Sequence, residues 1–302
     1  MSLLVFGHKN PDTDSICSSI SLSYLKNQLG IEAKPYALGE VRKEAQFVLD
    51  YFKVDAPEVL TTSIKGLDVV LVDHNEYAQS HDELKEANLV EIVDHHKIGG
   101  ITTDVPINFR VMPVGCSCTV IYNMFKENNI EIPYNIAGLL LSAILSDTLL
   151  FKSPTTTQAD IDACNALNKI VNVDMESYAM EMFKAGTSLD EFSIEEIVNM
   201  DFKEFEMSGK RVGIGQVFTL DIDSIFAKKD DFLSYINSTD YDMLVLAITD
   251  IIKEGSYLIY KAEDKVISQA FNVNAEQGVF AAGVVSRKKQ LVPNLTEAIK
   301  NI

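Results

Sequence analysis

LLVFGHKNPDTDSICSSISLSYLKNQLG, residues 3–30, is the stretch on which the fold turns. Its first five residues are an apolar run without polar alternation, the pattern of a parallel strand covered on both faces. The run from Ser15 to Leu29 reads as a helix, and Gly30 stands where a left-handed C-terminal cap is wanted. Between them GHKNPDTD places one imidazole and two carboxylates within seven positions. A strand, a short polar loop and a helix in that order begin a βαβ unit. Two further apolar runs, DVVLVD (68–73) and LVEIVD (89–94), share the unalternating character, and VRKEAQFVLDYFK is an amphipathic helix. The prediction is therefore an α/β chain whose amino-terminal part is a doubly wound parallel sheet.

Past residue 115 helical patterns succeed one another, through TVIYNMFKENN, AGLLLSAILSD, TQADIDACNALNKIV and MESYAMEMFKA. Near Gly186 the character changes. TSLDEFSIEEIVNMD is acidic and polar, and the chain beyond it alternates and turns like a smaller antiparallel α+β domain, with SGK (208–210) as a hairpin turn. The expected division is a first domain over 1–187, a hinge linker over 188–195 and a second domain over 196–302.

The 302 residues are 47% apolar, enough for two cores. A formal charge of −18 repels phosphate backbones at long range and argues against a general nucleic-acid binder. An anionic substrate must then be met by a local positive site. The four cysteines, Cys17, Cys116, Cys118 and Cys164, form neither CxxC zinc pairs nor a disulfide framework, which suits a reducing compartment. Cys116 and Cys118, at a helix start, read as small packing residues without chemistry. MSLLVFGHK is too short an apolar stretch for a signal peptide, and no run reaches the roughly 18 apolar residues of a membrane span. The expectation is a soluble, cytoplasmic protein.

Four of the five histidines, His8, His74, His95 and His96, fall at the ends of the apolar strand runs, each beside or close to an aspartate. The clusters are GHKNPDTD, VDHNE and VDHH, so three strands deliver acids and imidazoles at their carboxyl ends, the edge of an open α/β sheet where ligands bind. Asp147 adds a fourth carboxylate from the apolar helix LLLSAILSD. Each has a plain alternative: Asp14 caps the following helix, a lone histidine is hydrogen-bonded and structural, Asp147 pairs with an amide. Carboxylates converging on one crevice repel each other and raise their own pKa values, and a cation resolves that conflict. Carboxylates with two imidazoles and no thiolate suit Mn²⁺, Co²⁺ or Zn²⁺ better than Mg²⁺ or Ca²⁺. Five or six such ligands fit two ions about 3.5–4 Å apart bridged by one carboxylate, an arrangement used in phosphoryl hydrolysis.

GHKNPDTDS, VDHNE, VDHH, LLLSAILSDT and the late GVVSRKKQLVP together resemble the family II, manganese-dependent inorganic pyrophosphatases of the DHH phosphoesterase superfamily, nearly end to end. The resemblance implies a DHH metal-binding catalytic domain and a DHHA2-type substrate-binding domain with a mixed sheet. It implies one metal held by His8, Asp12 and Asp73 and a second by Asp14, Asp73, His95 and Asp147, with Asp73 bridging. His96 would face the substrate and serve the leaving phosphate, so that His96, Asp14 and Asp73 form the catalytic set. Lys203, Arg287 and Lys288 would bind the phosphates, and His74 would be structural. Without the resemblance, RKK at 287–289 is a solvated surface run, although it is the densest positive cluster of an acidic chain. The implied reaction is hydrolysis of pyrophosphate to two orthophosphates by a hydroxide bridging two Mn²⁺ ions per subunit. Co²⁺ is a possible substitute, Mg²⁺ arrives with the substrate, the two domains close over it, and the subunits pair as a homodimer. Two rivals use the same fold: a phosphodiesterase or exopolyphosphatase, which needs a stacking surface for a base, and a catalytically silent phosphate sensor, which would have lost a ligand.

Overall fold

The strand anticipated from LLVFG runs over Leu3–Lys9 (β1) in the computed structural model, which describes residues 2–250 and 252–300. The helix that comes next, α1 (Thr13–Gln28), is capped by Asp12, whose Oδ1 accepts the Ser15 amide at 3.0 Å, a bond worth about 1 kcal/mol. Gly30, just past its end, has φ +78°, the left-handed conformation that glycine adopts without cost. The chain continues through β2 (Ala33–Leu38), α2 (Lys43–Phe52), β3 (Glu58–Val59), β4 (Asp68–Val72), β5 (Asn88–Asp94) and β6 (Asn108–Val111). These strands form one six-stranded sheet in the order β3-β2-β1-β4-β5-β6, and every pairing is parallel. The order reverses between β1 and β4, the switch point at which such sheets open a crevice at their carboxyl edge.

β1, β4 and β5 are the three strands legible as apolar runs, and they are adjacent. Phe6, Val69, Leu71 and Ile92 pack together with Leu60 and Ile64, while Val5, Val70 and Val93 are also fully buried, so the sheet is covered on both faces. Four helices complete the unit: α3 (Ser117–Glu127), α4 (Tyr134–Asp147), α5 (Gln158–Val171) and α6 (Met175–Gly186). α4 is buried without interruption from Ile136 to Leu145, and Gly138 leaves room for the Phe52 ring, since a Cβ there would stand 2.3 Å from ring carbons.

The chain divides after Gly186. Leu189 and Ile194, within the stretch read as a hinge linker, pack with the core of the second unit, and Ser193 caps α7 (Ile194–Asn199). The second unit adds β7 (Phe202–Met207), β8 (Lys210–Phe218), α8 (Ile222–Ala227), α9 (Lys229–Ser238), β9 (Met243–Asp250), β10 (Gly255–Lys261), α10 (Asp264–Phe271), β11 (Val279–Ala282) and α11 (Val292–Lys300). Its sheet runs β11-β10-β9-β8-β7. Ser208 and Gly209, at φ +51° and +79°, make the expected two-residue hairpin between β7 and β8. The reading as antiparallel needs one correction: β8 and β9 are parallel, because α8 and α9 intervene and carry the chain back across the sheet. The sheet is therefore mixed. Val212, Val245, Leu258 and Leu295 fill one core and Phe232, Ile236, Leu246 and Ile248 the other, so β9 is buried along its whole length.

Candidate metal centre

The carboxyl ends of β1, β4 and β5 present His8, Asp73 and the segment Asp94-His95-His96. Asp73, immediately after β4, has φ +58°. A non-glycine residue there costs of order 1–3 kcal/mol and persists where surrounding contacts over-determine it. Those contacts are visible. Its Oδ2 accepts the Ser15 hydroxyl at 2.7 Å and its Oδ1 the Ser117 hydroxyl at 3.3 Å. The His8 Nε2 lies 3.4 Å from Oδ2, and the His95 Nε2 lies 3.5 Å from Oδ1. Asp73 thus turns one oxygen to each of two imidazoles.

The two imidazoles are held alike. His8 donates Nδ1–H to the Lys9 carbonyl at 2.8 Å, and His95 donates Nδ1–H to the Val114 carbonyl at 3.0 Å. Each Nε2 is thereby aimed at carboxylates: that of His8 at Asp12 Oδ2 (3.3 Å) and that of His95 at Asp147 Oδ2 (3.9 Å). Ring nitrogens fixed this way suit metal ligation. Asp147 is the last residue of α4, and Asp14 lies in the first turn of α1. The alternative reading of Asp14 as a cap holds in altered form. Asp12 caps α1, whereas Asp14 accepts the Ser117 amide at 2.7 Å and the Cys118 amide at 3.2 Å, and so caps α3 from another segment. Gly7 permits the β1–α1 approach, because a Cβ there would meet the Ser15 Cβ at 2.5 Å.

Two donor sets result. One ligand atom from each of His8, Asp12 and Asp73 lies within 4.8 Å of the others, and the same holds for Asp14, His95 and Asp147. Burial, together with the charge of Asp73, raises the Asp14 carboxyl to about 6. Burial and the charges of Asp14 and Asp73 push Asp147 well above the usual carboxylate range. Burial opposes ionisation of His8, but its bonds to Asp12 and Asp73 outweigh it and hold the imidazolium up to about 11; His95 is held at about 9 against burial by Asp73 and Asp14. Asp73, for its part, is held below the usual range, because the two imidazoles outweigh its burial. The centre therefore gathers more negative charge than its imidazoles neutralise, and divalent cations fit its donor set.

These shifts make the metal-free protein sensitive to pH. The His8 and His95 pKa values are raised in the folded state from 6.5 to about 11 and about 9. Their contribution to stability is full below pH 6.5 and is lost as pH rises through 9 towards 11. Chelator-treated protein should melt at progressively lower temperature over that interval, and Mn²⁺ should abolish the trend while displacing protons. A flat melting profile without metal would contradict the pairing of these imidazoles.

His96 belongs to neither of these two sets but borders them: one of its ring nitrogens lies within 4.8 Å of ligand atoms of Asp73 and His95, and its Nδ1 is 3.7 Å from Asp73 Oδ1. Its Nδ1 lies 2.9 Å from Asp94 Oδ1, the side chain is half exposed, and the Asp94 bond raises its pKa. Asp94 also accepts the backbone amides of His95 and His96 and is tied to Asn75, whose side chain binds the Lys97 carbonyl at 3.0 Å. His74 is buried, with Nδ1 on the Val72 carbonyl at 2.8 Å and Nε2 without a hydrogen-bond partner among the described residues. The sequence reading assigned no part to Ser15, Ser117, Asn75 or Asp94. Only Asp94 carried a signal, as the acid of VDHH.

In the second unit Lys203, Arg287 and Lys288 do come together, around a pocket of about 380 Å³ that Gln216 and Ser286 also line. Arg287 is not a solvated surface residue. Its guanidinium binds the carbonyl and carboxylate of Asp201, and its side chain is 12% exposed. Gln216 holds the loop, accepting the Arg287 amide at 3.1 Å and donating to the Val285 carbonyl at 3.1 Å.

A parallel-sheet unit with aspartates and histidines at its carboxyl edge, joined to a mixed-sheet unit with a cationic pocket, defines a protein of the DHH class. Residues 2–144 match the DHH family N-terminal domain and residues 180–298 the DHHA2 domain. A Staphylococcus epidermidis protein is 49% identical over 98% of both chains, and a Clostridium acetobutylicum protein is 48% identical over 99% of this chain and 98% of its own. Both carry the name probable manganese-dependent inorganic pyrophosphatase. A crystal structure from Methanococcus jannaschii, of a putative family II inorganic pyrophosphatase, matches with a TM-score of 0.62 at 43% identity, covering 99% of this chain and all of the other. The chain belongs to the family II, manganese-dependent inorganic pyrophosphatases. Among the described residues no helix is long and apolar enough to cross a membrane.

Proposed function

We propose that this chain hydrolyses inorganic pyrophosphate to two orthophosphates at the centre built on Asp73. The observation that carries the reading is the bridging posture of Asp73, one oxygen toward His8 and Asp12 and the other toward His95. His8, Asp12 and Asp73 would hold one Mn²⁺, and Asp14, Asp73, His95 and Asp147 a second. Bound divalent cations would neutralise phosphate charge and lower the pKa of an attacking water toward about 7. Ser15 and Ser117, each donating to one oxygen, fix the orientation of the Asp73 carboxylate, and Asp94 holds Nδ1 of His96. A proton on His96 Nε2 then serves the departing phosphate oxygen, and the raised pKa favours its presence near neutrality. Lys203 and Lys288 would supply point charges and Arg287 its remaining guanidinium hydrogens to the phosphate oxygens. The names of the relatives support Mn²⁺ and pyrophosphate. Co²⁺ as a substitute ion, Mg²⁺ delivered with substrate, a cytoplasmic location and a homodimer complete the proposal.

The test is orthophosphate release from pyrophosphate, polyphosphate and a dinucleotide, with Mn²⁺, Co²⁺ or Mg²⁺ restored after chelation. A strong preference for pyrophosphate is expected, and equal or better turnover of the others would overturn the assignment. Arg287→Ala and Arg287→Lys should lower kcat/KM on the order of 10²-fold, the cost of one stabilising donor set, while leaving the manganese content unchanged. Unaltered kinetics in both variants would remove Arg287 from the phosphate site.

A further inference from the structure

Behind Asp14 lie two thiols that the reaction does not use. Cys116 and Cys118 flank the start of α3, and both are fully buried. One donor atom from each of Asp14, Cys116 and Cys118 lies within 4.8 Å of the others. Their surroundings tie them to the same metal centre: burial, with the nearby charges of Asp14 and Asp147, pushes the Cys116 thiol well above its ordinary range, and Cys118 Sγ lies 3.3 Å from the Ser18 hydroxyl, which itself binds Asp14 at 2.8 Å. The C-x-C pair, which reads from sequence as inert packing, therefore faces two of the carboxylates of the second donor set.

We propose that Asp14, Cys116 and Cys118 form a site for a thiophilic divalent cation, of the chemistry of Zn²⁺ or Cd²⁺, that competes with Mn²⁺ for Asp14. The donor count explains the direction. Two sulfurs and one carboxylate are soft enough to favour Zn²⁺ and Cd²⁺ over Mn²⁺, and an ion that takes two thiolates loses the open positions a catalytic ion keeps. Binding releases the two thiol protons to solvent as two S–metal bonds form, with no change of oxidation state. The consequence is an enzyme slowly silenced by thiophilic ions in the presence of Mn²⁺, slowly because the thiols are enclosed. The inhibitory part of this inference rests on the metal centre proposed above; the site itself rests on the cluster alone.

The experiment incubates Mn²⁺-loaded protein with Cd²⁺ and tracks both ultraviolet thiolate-to-cadmium charge-transfer absorption and pyrophosphate hydrolysis. Wild-type protein should gain the absorption as activity is lost. Cys118→Ala and Cys118→Ser should start with Mn²⁺-dependent activity, gain no such absorption and resist Cd²⁺, whereas Cys164→Ala should behave as wild type. Inhibition without the absorption would place Cd²⁺ among the imidazoles and carboxylates only and overturn the proposal. So would an absorption that persists in both Cys118 variants. Failure of the catalytic reading is separable, because it would show as absent hydrolysis in Mn²⁺-loaded wild-type protein before any Cd²⁺ is added.

Discussion

Asp73→Asn should lower turnover on the order of 10³-fold and strip the protein of tightly bound manganese. The substitution keeps the shape and a polar end for Ser15 or Ser117, so the left-handed backbone at Asp73 is under the same constraints. What it removes is charge and one acceptor oxygen. A carboxylate can face two cations with its two oxygens, whereas a carboxamide offers one oxygen and turns an N–H₂ toward the other. Both donor sets should suffer, the one with His8 and Asp12 and the one with His95, because each imidazole lies near a different oxygen of this side chain. Metal analysis after gel filtration, together with a pyrophosphate assay at saturating Mn²⁺, reads both effects. Retention of full metal content would remove Asp73 from the bridging position.

Lys26→Met should cost about 3–5 kcal/mol of stability, for a reason unconnected with catalysis. Lys26 of α1 and Glu91 of β5 form an ion pair across the interior of the first unit, and their side chains are only 10% and 7% exposed. Removing the cation leaves Glu91 enclosed and unpaired, and desolvation of that carboxylate then goes uncompensated. For a domain of this size the loss corresponds to a fall in Tm of roughly 10 °C. Replacing both partners, Lys26→Met with Glu91→Leu, should restore most of it, because two apolar chains in the same space carry no charge to desolvate. Calorimetry on the two single variants and the pair, in one metal state, checks the cycle. Equal destabilisation in the double variant and in Lys26→Met would show that packing, not charge, carries the effect.

The parts of the fold that could be read from the chain were those where burial dictates residue type. β1, β4 and β5 are covered on both faces, so their sequences are apolar runs without alternation, broken in β5 only by Glu91, which Lys26 neutralises. β2 escaped notice because Pro35 interrupts it; the proline is tolerated because β3, only two residues long, pairs at Tyr36 and Ala37 and does not reach it. β6 is an exposed edge strand, NFRV, with no burial to impose a pattern. The parallel β8–β9 pairing was illegible for another reason, since local alternation is the same whichever way a neighbour runs. The site divides in the same way. Aspartates and histidines crowding strand ends are improbable as ornament, so His8, Asp12, Asp14, Asp73, His95, His96 and Asp147 could be singled out. Ser15, Ser117 and Gln216 could not, because common polar residues acquire their roles through contacts 58, 44 and 71 positions distant in sequence. The exchange of capping roles between Asp12 and Asp14 is also a tertiary fact: Asp14 serves a helix whose capped amides, at Ser117 and Cys118, lie 103 and 104 positions further along the chain.

Anomalous diffraction from crystals loaded with manganese tests the bridged pair of ions most directly. Two peaks sharing the carboxylate of Asp73 are predicted, one completed by His8 and Asp12 and the other by Asp14, His95 and Asp147. Peaks elsewhere, a single peak, or an Asp73 side chain touching neither ion would contradict the account.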